Sequence, residues 1–355
     1  MGSRFKSEGV HEIPVPSHEG WDFSFLCQSY RVTSKNAFAA MTVDEQIASL
    51  DACLVEILNQ YDLGEYEAES INHEFNSTFK VACASGEIYA LRINVNSTRT
   101  LENLKAEIAW VSRVQSVKVP KPTPNRDGSF ISYGWHEASQ RNLAAVLYSW
   151  LEGEELGDEP TDGQLRALGA AMAKLHLESA ELTLPDDAQL PIYQDAFWGA
   201  EDLLTSPASA LNEEEKRVVA GVLANVAAAL AELGEGQHLQ PIHADLHPWN
   251  AMWHEGEIAV FDFDDSGIGL PIQDIATAIY YLDTDDQRAA FLAGYESIAA
   301  LPSSSAKQMG LLLLHRRILL LNYLYETSNP EHAELIPEYQ AETFRRISVA
   351  SEGSF

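Results

Sequence analysis

The chain has 355 residues, 46% of them hydrophobic, with a formal net charge of −30. That length suggests one large domain or two lobes with enough apolar content for a core. The charge disfavours nonspecific binding to nucleic acid or to an anionic membrane, both negative themselves, and it permits a cationic ligand. No stretch reaches the roughly 18 apolar residues of a membrane span. The longest candidate, "GLLLLHRRILLLNYLY" (310–325), is interrupted by His315, Arg316 and Arg317 and reads as a buried helix with a basic face. The first 25 residues carry acids and prolines and lack a signal-type apolar core. Cys27, Cys53 and Cys83 have neither metal-ligand nor redox spacing, and an odd count fits a reducing compartment. A cytoplasmic protein is expected.

In chain order, residues 1–40 scatter aromatics and prolines among polar residues and read as an extension that packs on the body through its aromatics. Apolar spacing near 3.6 with acids in the first turn predicts a helix over 43–62. The period then changes. "EYEAESINHEFNSTFKVACASGEIYALRINV" alternates around a polar turn, which predicts antiparallel strands at 66–73, 77–83 and 87–95. A helix follows at 100–116, then the proline-punctuated loop "VPKPTPNRDG", then strands at 129–134 and 143–149. Beyond "WLEGEEL" the chain turns helical, over 161–178, 212–233, 271–283, 285–299, 305–327 and 333–348. The expected fold class is α+β and bilobal: an N-terminal extension and helix at 1–62, a small antiparallel-sheet lobe at 63–148, and a larger, mainly helical lobe at 149–355. Ligands usually sit in the cleft between two such lobes.

The helical half is interrupted by "PIHADLHPWNAMWHEGEIAVFDFDDSG" (241–267). Asp245 stands two residues after His243, and Asn250 five after Asp245; strand-like "EIAVFDF" then presents Asp262. Phosphoryl transfer needs such a set: a carboxylate to orient an attacking hydroxyl and accept its proton, and an amide oxygen with a second carboxylate to hold Mg²⁺ against nucleotide phosphates. A hairpin turning at 254–256 would bring Asn250 and Asp262 side by side.

"HADLHPWN" followed by "FDFDD" resembles the aminoglycoside phosphotransferase superfamily of protein-kinase-like enzymes, over roughly residues 63–300, nearest its stress-response kinase and homoserine kinase branch. Two motifs in order, about a dozen residues apart, are far more specific than either alone. The resemblance implies Asp245 as catalytic base, Asn250 and Asp262 as Mg²⁺ ligands, Asp264 as an outer or second-metal carboxylate, and His243, with His247, as support for the catalytic loop. It also asks for a basic strand residue facing the phosphates and paired to a helix acid. Arg92 in "YALRI" and Glu107 in "LKAEIAW" fill those places, with arginine where many relatives carry lysine. Asn76, Ser77 and Thr78 sit where the fold covers the phosphates and could offer backbone N–H groups. "LYSWLEG" resembles the interlobe hinge, which implies adenine bonded to backbone near Ser149 and Leu151. Trp198 in "DAFWGAEDLL" is the candidate wall of the acceptor site, and His176 reads as a satisfied core histidine.

The implied function is an ATP- or GTP-dependent, Mg²⁺-requiring kinase acting on a hydroxyl of a small molecule such as an amino sugar, aminoglycoside, sugar or amino-alcohol, cationic where acids face the cleft. It would work as a monomer or homodimer without nucleic acid or membrane. A Ser/Thr side chain of a protein is the alternative acceptor. Other classes fit less well. A zinc helix on His243 and His247 lacks the glutamate after its first histidine, and Pro248 stops any helix there. An Asp-x-Asp glycosyltransferase would need a parallel α/β region before residue 262. A non-catalytic kinase-like binding module would be expected to lose Asp245, Asn250 or Asp262.

Overall fold

The computed structural model describes residues 38, 41–73, 75–97, 99–326 and 330–351. Helices α1 (Val43–Ser49) and α2 (Asp51–Leu58) occupy the span predicted as one helix. Thr42 and Glu45 start α1 with a reciprocal capping box. Strands β1 (Tyr66–His73), β2 (Asn76–Cys83), β3 (Ile88–Asn94), β4 (Pro122–Thr123), β5 (Ser132–His136) and β6 (Arg141–Ser149) form one sheet. Its order is β1-β2-β3-β6-β4, with β5 also paired to β6, and every pairing is antiparallel. The strand not expected, β4, is two residues inside the proline-rich loop. Alternate side chains of the sheet, such as Phe79, Val81, Leu91 and Ile93, pack against Leu50, Cys53, Ile57 and Leu58 of the helices. The helices grouped apart from the sheet at residue 62 therefore share its core. Phe38 is buried there too, edge-on to His136 at 5.0 Å. The rest of the extension expected at 1–40 lies outside the described residues.

Helix α3 (Leu101–Arg113), begun by a capping box of Thr100 and Asn103, touches both cores. Leu104 and Ile108 pack on Val146 and Tyr148 of β6. Ala106, Trp110 and Val111 join the core of the large lobe. One helix thus carries Glu107 to the sheet while fixed from below.

The large lobe contains β7 (Glu154–Glu155), α4 (Asp162–Ser179), α5 (Glu213–Leu233), β8 (Gln240–Ile242), a 3-10 turn at Pro248–Asn250, β9 (Ala251–His254), β10 (Glu257–Val260), β11 (Gly267–Gly269), α6 (Pro271–Tyr280), α7 (Asp285–Glu296), α8 (Ala306–Glu326), α9 (Pro330–Glu334) and α10 (Ile336–Ser351). The helix expected over 333–348 is two. Pro337 stands in the first turn of α10, a position suited to a residue with fixed φ and no N–H. Helices α4 and α7 meet backbone to backbone: a Cβ on Gly169 would stand 2.0 Å from the Phe291 carbonyl oxygen, and one on Gly294 2.0 Å from that of Arg166. Three basic residues midway along α8, His315, Arg316 and Arg317, are buried.

Candidate active site

The hairpin β9–β10 pairs His254 with Glu257, so its turn is Glu255-Gly256, both at positive φ. That is the geometry of a tight two-residue hairpin. It returns the chain beside its own start, and the Phe261 N–H donates to the Asn250 carbonyl at 3.1 Å. Asn250 and Asp262 consequently line one cleft of about 460 Å³ together with Asp245. The loop before the hairpin is held from behind. Asp274, on the first turns of α6, accepts the backbone N–H groups of His243 (2.9 Å) and Ala244 (2.5 Å). His176 stands against the same carboxylate at 2.9 Å and contacts the Tyr295 hydroxyl through its other nitrogen. Ala244 and Asp262 both adopt positive φ, 66° and 62°. Non-glycine residues hold that conformation only where their surroundings impose it.

Asp245 is nearly enclosed, at 3% exposure. The Asn250 side-chain amide donates to its backbone carbonyl at 2.8 Å and to Oδ2 at 3.0 Å. Arg316 pairs with Oδ1, and His247 Nε2 lies 3.5 Å from the same oxygen. Burial works to raise the Asp245 carboxyl, but the charges of His247 and Arg316 outweigh it and hold the group below the usual range. His243 bonds the Phe261 carbonyl through Nε2 at 2.9 Å, and burial lowers its imidazole despite the nearby acids. His247 caps the 3-10 turn by accepting from the Trp249 N–H. Both histidines are thus engaged within a loop and not paired on one face of a helix, as the zinc-protease pattern has them.

The opposite wall comes from the small lobe. Arg92 Nη2 reaches Glu107 Oε2 at 2.5 Å, and the Tyr148 hydroxyl donates to Glu107 Oε1 at 2.8 Å. Arg92 itself lines the cleft, and its Nε is buried without a hydrogen-bond partner. Asn76 lines the same cleft and donates to Asp264 Oδ2 at 2.6 Å.

Several expected site residues stand elsewhere. Ser77 is turned away, bonded to His73 Nδ1 at 2.6 Å, and Thr78 takes its place on the cleft wall. Asp264 is held by Asn76, and of the acids in "FDFDD" those on the wall are Asp262 and Asp265; Asp265 is paired with Arg99 at 3.2 Å. Ser149 and Leu151 line the cleft, but the Ser149 N–H is bonded to the Lys121 carbonyl at 2.8 Å. Trp198 does not face the cleft. It stacks on Tyr193 at 4.6 Å in a buried cluster with Ile242 and Ala244, at the start of the loop that carries Asp245, because an aromatic on a loop gains more from burial than from a solvated wall.

The acids suit a cation. Burial, then Asp264, pushes Asp262 well above the usual carboxylate range. Burial and Asp264 also raise Asp265, despite Arg99. Close carboxylates that cannot all ionise alone are the donor set of a hard divalent ion. Sequence inspection missed Asp274, Tyr148, Asp265 and Arg316. Asp274, an acid inside the apolar "PIQDIATAIY", carried a readable signal; the others did not.

Two lobes, a cleft between them, a basic strand residue clamped by a helix acid above, and a carboxylate–amide–carboxylate floor define a protein-kinase-like phosphotransferase. The chain belongs to the phosphotransferase enzyme family, whose model matches residues 68–306. It is 24% identical over 197 residues to the amicoumacin kinase of Bacillus subtilis, a match covering 54% of this chain and 56% of that enzyme. The structure of the amicoumacin kinase hAmiN in complex with AMP-PNP, Ca²⁺ and Ami superposes with a TM-score of 0.69 at 19% identity, covering 85% of this chain and 96% of the other. A microcompartment-associated aminopropanol kinase superposes with the same score at 22% identity, covering 88% and 98%. Among the described residues, no helix is long and apolar enough to cross a membrane.

Proposed function

We propose that this enzyme transfers the γ-phosphoryl group of Mg²⁺·ATP to a hydroxyl of a small, amine-bearing molecule. The observation that carries the reading is the convergence of Asp245, Asn250 and Asp262 on one cleft with Arg92. Asp245 is the base: its ionised carboxylate aligns the acceptor hydroxyl and takes its proton. The Asn250 side-chain nitrogen is engaged with Asp245, which leaves its oxygen, with the Asp262 carboxylate, to hold Mg²⁺. When bound, the metal neutralises phosphate charge. Arg92, kept in place by Glu107, grips the α and β phosphates, and the apolar end of the cleft near Ala90, Leu151 and Met252 takes adenine. Most of the acceleration then comes from positioning and charge.

An amine on the acceptor is supported by the net charge of −30. One protein of similar structure is an aminopropanol kinase, and aminopropanol is an amino alcohol. The test is a panel of acceptors with γ-labelled ATP: 1-amino-2-propanol, ethanolamine, choline, amino sugars, homoserine and casein. Label should pass to amino alcohols or amino sugars. Label confined to casein would replace the small-molecule acceptor with a protein hydroxyl.

A further inference from the structure

Residues assigned to the reaction so far come from the sheet lobe, α3 and the loop–hairpin at 243–262. Another element reaches the base. Helix α8 delivers Arg316, 2% exposed, onto Asp245 Oδ1 from 71 residues further along the chain. The guanidinium is itself oriented. Its Nη2 donates to the Tyr281 hydroxyl at 2.7 Å, and its carbon lies over the Tyr281 ring at 5.3 Å. The same ring packs on His247, centroid to centroid at 4.2 Å. Tyr281, the residue closing α6, thus sits between two basic side chains that both address one oxygen of Asp245.

We infer that Arg316 is a positioning residue for phosphoryl transfer: with Tyr281 it holds the Asp245 carboxylate at Oδ1, so that the acceptor hydroxyl meets a fixed oxygen. This rests on Asp245 being the base. In the step it serves, the acceptor oxygen bonds to the γ-phosphorus, the bond from that phosphorus to the bridging oxygen of ATP breaks to leave ADP, and the hydroxyl proton passes to Asp245. With Asn250 at Oδ2 and Arg316 at Oδ1, neither oxygen can swing, yet a carboxylate keeps lone pairs beyond these two bonds for the incoming proton. An exposed ion pair would contribute little, but this one is enclosed, and removing one partner leaves a buried charge unmatched. Arginine suits the task because the two N–H groups of its Nη2 reach Asp245 and Tyr281 together, in the plane the guanidinium fixes; a lysine ammonium is a point charge without that geometry.

The test compares wild type, Arg316→Ala, Arg316→Lys and Tyr281→Phe, with Mg²⁺·ATP and 1-amino-2-propanol as substrates and slow hydrolysis of ATP by water as a second readout. Arg316→Ala should lose about 100-fold in kcat while KM for ATP stays within about threefold, the pattern of a lost transition-state interaction. Millimolar guanidinium chloride, far below denaturing concentrations, should restore a substantial part of that loss, which no merely structural defect would show. Tyr281→Phe and Arg316→Lys should give intermediate kcat values with ATP binding intact. They decide the matter should the alanine variant fail to fold. Near-wild-type kcat in Arg316→Ala, or in both milder variants, overturns the inference, as does a loss that guanidinium leaves unchanged. A wild-type protein that consumes no ATP with either acceptor, or an Asp245→Asn variant with full turnover, overturns the assignment of the base, and the inference with it, before any Arg316 variant is compared.

Discussion

Asp245 stays ionised in a buried place because His247 and Arg316 outweigh its desolvation. Replacing it with asparagine keeps the shape and removes the proposed proton acceptor. Asp245→Asn should therefore lower kcat by about 10³-fold while the Kd for Mg²⁺·ATP changes by less than about threefold; equilibrium binding beside steady-state kinetics measures both. A second buried group sets a pH limit on the fold. His315 bonds the Ala196 carbonyl through Nε2 at 2.7 Å, and burial pushes it down to about 4, with Asp195 opposing and Arg316 adding to the shift. Above the ordinary histidine range both folded and unfolded chains carry it neutral, and its contribution to stability is complete. As pH falls from about 6.5 to about 4 the unfolded chain takes the proton first, so stability drains by on the order of 3 kcal/mol and then levels. His315→Gln keeps a donor for Ala196 and removes the titration. The difference between wild type and variant in urea unfolding should change over that window, and a difference that stays flat contradicts the assignment.

Helices α4 and α7 stand as close as two helices can, because Gly169 and Gly294 each face a carbonyl of the other. Their packing also sets His176, on α4, against Tyr295 of α7 and Asp274 of α6, so the contact supports the catalytic loop at one remove. Gly169→Ala would press a methyl group into backbone that cannot yield as a side-chain tip can. It should destabilise the fold by about 3 kcal/mol. Gly221→Ala, on the exposed face of α5 with nothing within 4 Å, should instead gain about 0.5–1 kcal/mol from helix propensity. Chemical denaturation of the two variants separates close approach from propensity, and equal effects would deny the packing argument.

The lobes meet through α3, through the Asn76–Asp264 bond, and through a bridge between Lys118 and Ala259. A ligand gripping Arg92 above and Asn250 with Asp262 below ties these bodies together only when folded. At 100 times its Kd, Mg²⁺·ATP should stabilise the protein by about 2.7 kcal/mol, a rise of a few degrees in Tm. A chelator should remove most of that rise and abolish phosphoryl transfer, since Asp262, on the cleft wall, would then face the triphosphate with no metal between them. An equal shift with and without metal would argue against a metal-bridged nucleotide.

What the amino-acid order determined by itself was local. Period-2 alternation gave β1 to β3, and 3.6-residue spacing with capping residues gave α3, α4 and α5. The 18-residue span from Asp245 to Asp262 needs one hairpin to close it, so Asn250 and Asp262 were legible as neighbours. The Arg92–Glu107 pair was legible because strand and helix follow one another directly. Direction and distance were decided only by tertiary packing. Adjacent Asp264 and Asp265 look alike as letters, and the backbone at Asp262, at φ 62°, precedes the turn that sends one to Asn76 and the other to the cleft. Trp198 gave an aromatic beside acids but no sign of which way it faced. Arg316 read as part of a buried basic face, yet its partner lay 71 residues earlier. Side-chain period is set by neighbours in sequence, whereas the partner of a buried charge is chosen by whichever element the collapsed core brings against it.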